Sequence, residues 1–285
     1  MLRLTAGPLD CTIDPVLGGC IRSLRCGGHD VLRRAPDALA TARQASSYSL
    51  VPCSNRIANG VLHWQGRTWQ LALNNAPEPH AIHGIGWQLP WDVESSSADG
   101  AGLVARHPGD DRWPFAFESR QAFRLAPGVL DLELSVKNTG TQAMPVGLGW
   151  HPFFTKRPGA RVRVRAQSRW DMGADKLPTT RVAHAGIDGV VDRLDVDHCF
   201  EGWDHEALLE DDVLRVRIVS GLQRVVVFTT PARDVIAIEP VSHANNAYGA
   251  WTHGPAPSAG SLGAVGLGPG ATFAATMRIE AALRG

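Results

Sequence analysis

Between positions 130 and 137 apolar and polar residues alternate without a break. Leu130, Leu132, Leu134 and Val136 fall on one side, and Asp131, Glu133, Ser135 and Lys137 on the other. A period of two describes a strand with one wet face. RVRVR at 161–165 and LRVRI at 214–218 repeat the pattern with arginines outward, and FAFESRQAFRL at 115–125 gathers Phe115, Phe117, Phe123 and Leu125 on one side. VVVF at 225–228 and VIAI at 235–238 are apolar on both faces and read as central strands. TFAATMRIEAAL at 272–283 fits strand or helix; the alternation of Met277 and Ile279 with Arg278 and Glu280 favours strand. The best helical candidate is APDALATARQA at 35–45, with a proline near its start and alanines after it. Strands this numerous, with no helices between them, predict an all-β fold: a large antiparallel β-sandwich with few short helices. No biased linker or repeat divides the chain, so 1–285 reads as a single domain. The Gly-, Pro- and Ser-rich stretch 252–268 reads as a mobile surface loop.

Composition narrows the partners. Lys and Arg number 28, Asp and Glu also 28, so the formal net charge is zero. A nucleic-acid binder would carry a basic excess, and this balance suits a neutral or weakly charged partner such as a sugar. The first residues form no signal peptide, and no apolar run approaches the ~20 residues that span a bilayer. Five scattered cysteines without a CxxC fit neither a disulfide framework nor a zinc site. They read as buried thiols in a reduced cytoplasm, which gives a cytoplasmic expectation.

Few residues suggest chemistry. Glu239 ends the apolar VIAI segment, where a carboxylate is costly to desolvate unless paired or protonated; it is either a rim salt bridge or a general base. His151 stands in GLGWHPFF (147–154), between Trp150 and Pro152, as a satisfied core histidine or as a proton carrier aimed into a cleft. His83 is flanked by Gly84 and Gly86 within AIHGIGW, a setting more often structural than catalytic. Arg56 follows Asn55 in CSNRIANG, and Asp197 sits among other acids in LDVDHCF. Trp150 is a core residue or a platform for a sugar ring. No HExxH, GxSxG, P-loop or strand–GxGxxG–helix pattern is present, so metal, nucleotide and acyl-enzyme mechanisms have no support in sequence.

In order, however, the blocks LGGCIRSLRCGGHDVLR, SYSLVPCSNRIANGVLHWQGRTWQL, HGIGWQLPWDV, WPFAF, MPVGLGWHPFF, DHCF and IEPVSHANNAY resemble the aldose 1-epimerase (galactose mutarotase) family over most of the chain. The resemblance implies a sandwich with an open sugar cleft, no cofactor and no metal. Carried over by motif, Arg56 of the Asn55–Arg56 block and Asp197 would bind substrate hydroxyls. His83 would hydrogen-bond the sugar near its reacting end, and His151 and Glu239 would be the acid–base pair. Two blocks depart from the family pattern. SHANNAY replaces a proline-rich stretch after Glu239, making His243 a further candidate contact, and His-Pro-Phe-Phe stands where many relatives have His-Ser-Tyr-Phe, which indicates a divergent bacterial-type branch.

The implied activity is mutarotation of a free monosaccharide, hexose or pentose, by a monomer or homodimer. Ring opening removes a proton from O1 and delivers one to the ring oxygen, so a paired acid and base suffice, each contributing about 10²–10⁴-fold. Glu239 is the expected base and His151 the expected acid, with His83 supporting or sharing the acid role. Two readings compete: a non-catalytic sugar-binding protein, and a mutarotase of a phosphorylated sugar. The latter needs extra cations around the cleft, and no motif locates such a cluster.

Overall fold

The computed structural model describes residues 1–253, 256–258 and 260–284. Its frame is two large antiparallel sheets. The first runs, edge to edge, Asp92–Ser96, Gly100–His107, Phe117–Ala126, Val129–Asn138, Thr272–Leu283, Leu214–Ser220, Glu206–Glu210, Arg161–Arg165 and Gly186–Val190. Alternation fixes its inner face: Phe123, Leu132 and Met277 stand directly opposite one another across three strands, and all are buried. TFAATMRIEAAL is a strand along its whole length.

The second sheet runs Pro178–Ala183, Ser168–Met172, Val196–Glu201, Arg224–Thr229, Val235–Val241, Gly149–Trp150 and Ser49–Leu50, with Phe153–Thr155 also paired to Val235–Val241. Every residue of Val235–Val241 is buried, the apolar run VIAI as its sequence predicts and Glu239 with it. Ile236 and Ile238 join Val225 and Val227 in the large core shared with the first sheet. Val235, Ala237 and Val241 point the other way, into a smaller cluster with Tyr48, Trp87 and Phe153. Each aliphatic side chain so buried contributes about 1.5–3 kcal/mol. A four-stranded sheet (Leu2–Ala6, Leu9–Asp14, Cys20–Cys26, His29–Asp30) adds Leu4, Cys11 and Leu24 to the large core.

Two expectations need correction. The segment 35–45 forms only a 3₁₀ turn, Ala42–Gln44, capped by the Thr41 hydroxyl. Arg22 donates to the carbonyls of Pro36 and Asp37, and Arg33 to those of Arg43 and Ala45, so side chains take the acceptors that a helix would use internally. The stretch 252–268 ends in a strand, Val265–Leu267, paired with Met144–Val146. Gly254, Pro255 and Ala259, which also belong to that stretch, lie outside the described residues. All five cysteines are unpaired and buried. Among the described residues no helix is long and apolar enough to cross a membrane.

Candidate active site

The outer face of the second sheet is the floor of a polar cleft of about 250 Å³. Strand register puts its residues there. Glu239 has the same parity as Ala237 and Val241, so it leaves the strand on the cleft side while Ile238 enters the core. Directly opposed residues share a face: Asp197 pairs with Phe228, Phe228 with Ala237, and Ala237 with Phe153. Gly149 pairs with Val241 and Phe153 with Ala237, a register that sets His151 opposite Glu239. Pro152 has no N–H to continue the ladder there. The His151 N–H donates instead to the Tyr48 carbonyl at 2.9 Å, and the Phe153 N–H to that of Ser46 at 2.9 Å. The imidazole is held between a stacked Tyr48 ring at 5.0 Å and Phe153 at 4.4 Å.

The consequence is a buried acid–base contact: His151 Nε2 lies 3.3 Å from Glu239 Oε1. Glu239 Oε2 and His151 Nδ1 have no hydrogen-bond partner among the described residues. Burial, reinforced by the Asp197 charge, raises the Glu239 carboxyl well above the usual carboxylate range. Burial, with Arg43 and Arg33 nearby, lowers His151 to about 3. Both shifts disfavour the charged forms, so the carboxyl group binds a proton more readily, and the imidazole less readily, than either would in water. Burial raises Asp197 as well, against the opposing pull of Arg56.

A tight corner supplies the second histidine. Asn55, His83 and Gly84 all adopt left-handed backbone, with φ of 52°, 61° and 61°. The Asn55 N–H donates to His83 Nδ1 at 3.0 Å, and the His83 N–H returns a bond to the Asn55 carbonyl at 2.9 Å. Because Nδ1 accepts, the ring proton is on Nε2, making His83 a neutral donor on the cleft wall, edge-on to His151 at 5.3 Å. Burial, then the neighbouring His151 and Arg43, keep it uncharged. Arg56 is clamped by Glu78 through two bonds of 3.0 and 3.1 Å, and Lys176 reaches the same carboxylate at 2.8 Å. Burial alone would raise Glu78, but Arg56 and Lys176 outweigh it and hold it at about 2.

The structure thus gathers Glu239, His151, His83, Asn55, Arg56 and Asp197 in one cleft. It does not bring in His243 or Trp150. His243 Nε2 accepts from the Ser54 N–H at 3.1 Å and Nδ1 bonds the Ala244 carbonyl at 2.8 Å, so both nitrogens brace backbone. Trp150 alternates with His151 and points into the large core, 2% exposed. Sequence reasoning missed Tyr48, Glu78, Lys176, Arg33, Arg43 and Arg233, which also line the cleft. A larger recess of about 960 Å³ beside Phe273 has one buried carboxylate, Glu201, already paired with Arg181 and Arg224. It has no comparable acid–base pair among the described residues.

Fold and site together define an all-β protein whose cleft joins a buried carboxyl–imidazole pair to the polar side chains of His83, Asn55, Arg56 and Asp197. The Aldose 1-epimerase family model matches residues 12–279, and the chain belongs to that family. It is 29% identical over 265 residues to the uncharacterized protein YphB of Escherichia coli K12, covering 84% of this chain and 85% of that one. The crystal structure of a candidate aldose 1-epimerase from Escherichia coli K12 superposes with a TM-score of 0.88 at 26% identity, over 99% of both chains. A galactose mutarotase-like protein from Clostridium acetobutylicum shares the fold, with a TM-score of 0.86 at 19% identity over 99% of this chain and 95% of that one.

Proposed function

We propose that the protein interconverts the α and β anomers of an aldose by acid–base opening and closure of the sugar ring. The observation that carries this reading is the buried contact between Glu239 and His151, whose remaining side-chain polar atoms have no hydrogen-bond partner among the described residues. Leaving such atoms unpaired costs about 1–3 kcal/mol each, a cost that a bound reactant would offset.

In the productive form Glu239 takes the proton from O1. The C1–O1 bond becomes a carbonyl, the bond from C1 to the ring oxygen breaks with its electron pair going to that oxygen, and His151 protonates it. Rotation about C1–C2 exposes the other face of the aldehyde. Closure reverses every transfer, and the pair regains its starting proton count. One proton shared between two facing groups is the inventory this cycle requires. His83 Nε2–H donates to a sugar oxygen at the reacting end, Arg56 and Asp197 hold hydroxyls through ring opening, and Asn55 orients His83. The test is mutarotation by Glu239→Gln: a loss of about 10³-fold or more in a folded protein is expected, and full turnover would remove the carboxyl from the chemistry.

A further inference from the structure

The His151 end of the cleft carries more positive charge than a neutral sugar calls for. Arg33, Arg43 and Arg233 line the same cleft as His151 and Glu239. Among the described residues none of the three makes an ion pair, whereas Arg56 and Lys176 share Glu78. Asp234 is the acid whose charge reaches Arg33, without ion-pair contact.

The three arginines are held by other means. Arg33 donates to the carbonyls of Ala45 and Arg43 at 2.8–3.0 Å, and its guanidinium lies 3.6 Å from the centre of the Phe153 ring. Arg233 covers Phe228 at 4.8 Å. Arg43 is tied to the Asn75 side-chain carbonyl, and its Nε is buried with no hydrogen-bond partner among the described residues. Stacking and backbone acceptors orient a guanidinium without neutralising it. The fold therefore sets three uncompensated, largely pre-positioned cations beside one end of a small cleft, which is the arrangement an anion fills.

We infer that the substrate is an aldose bearing an anionic group on the exocyclic carbon beside the ring oxygen, and that Arg33, Arg43 and Arg233 bind that group. The inference rests on the mutarotase reading. If His151 serves the ring oxygen, the carbon next to that oxygen, and whatever it carries, falls on the arginine side. A phosphate ester, a sulfonate or a carboxylate offers the oxygens a guanidinium fork requires. The same contact aids the chemistry. An anion among these arginines screens the charges that help hold His151 down, so binding moves the imidazole toward the protonated form it needs as acid.

The experiment compares sugars that differ at C6 alone. Mutarotation of D-glucose, D-glucose 6-phosphate, 6-deoxy-6-sulfo-D-glucose and D-glucuronate, and of the corresponding galactose series, is followed by exchange NMR at fixed ionic strength, with each uncatalysed rate subtracted. At least one anionic sugar should exceed its neutral parent by about 100-fold or more in kcat/KM, and which one does so identifies the anion. Arg33→Gln and the exposed Arg233→Gln should each cut that advantage by about tenfold or more, and added salt should shrink it. Equal or faster turnover of the neutral parents, or an advantage untouched in both variants, overturns the inference. No acceleration of any sugar by the folded protein, or equal rates for Glu239→Gln and the unsubstituted protein, overturns the mutarotase reading itself.

Discussion

Glu239 burdens the fold in order to serve the site, and the burden has a sign in pH. Its carboxyl titrates higher folded than unfolded. Its contribution to stability is fully present below the ordinary carboxylate range and is lost as pH rises through its folded pKa. Glu239→Gln escapes that loss, so the excess in Tm of the variant over the unsubstituted protein should grow as pH is raised above about 4.5. Thermal melts across that range check it, and a pH-independent difference would contradict it. The neighbouring Asp197 is part of what raises Glu239. Asp197→Asn should therefore move the alkaline limb of kcat/KM to lower pH, in addition to weakening binding; a limb that stays in place would place another group in the base role. His151→Gln should lower turnover about 10²–10⁴-fold, measured by polarimetry with folding checked by circular dichroism.

At the scale of elements, the site depends on strand parity and on one strained corner. A Cβ added at Gly84 would stand 2.4 Å from the Val51 carbonyl oxygen, at a φ of +61°. Gly84→Ala should destabilise the protein by about 1–3 kcal/mol and displace His83, seen as a lower denaturation midpoint together with reduced turnover. Much at this scale was legible in sequence. Alternation in VLDLELSVKN and unbroken apolarity in VIAI identified a strand with one wet face and a central one, and the motif order singled out Glu239, His151 and His83, which the fold brings into one cleft. Parity explains one miss, since consecutive positions of a strand cannot both face the cleft, and His151 being there sends Trp150 to the core. His243 failed for a different reason. Its motif position marks a buried imidazole, but the demand that consumes it, the Ser54 N–H, comes from a loop distant in sequence. The helix expected at 35–45 failed because Arg22 and Arg33 take its carbonyls, which local propensity does not register.

For the whole molecule, a net charge of zero hid a local excess. Arg33 follows the His29–Asp30 strand, Arg43 sits in the 3₁₀ turn, and Arg233 lies between the Arg224–Thr229 and Val235–Val241 strands. No spacing links them, because the second sheet and the loops around it bring them together only after folding. The carboxyl–imidazole pair and the guanidinium cluster line one cleft, so on the proposed reading chemistry and substrate choice would meet there. The most direct measurement is the rate of anomer exchange with the unsubstituted protein and with Glu239→Gln, across the neutral and anionic sugars, each protein confirmed as folded. Acceleration of an aldose that the substitution abolishes is the expected result. A folded protein that binds one of these sugars tightly and leaves its anomer exchange at the uncatalysed rate would contradict the mutarotase reading and make the chain a sugar-binding member of its family.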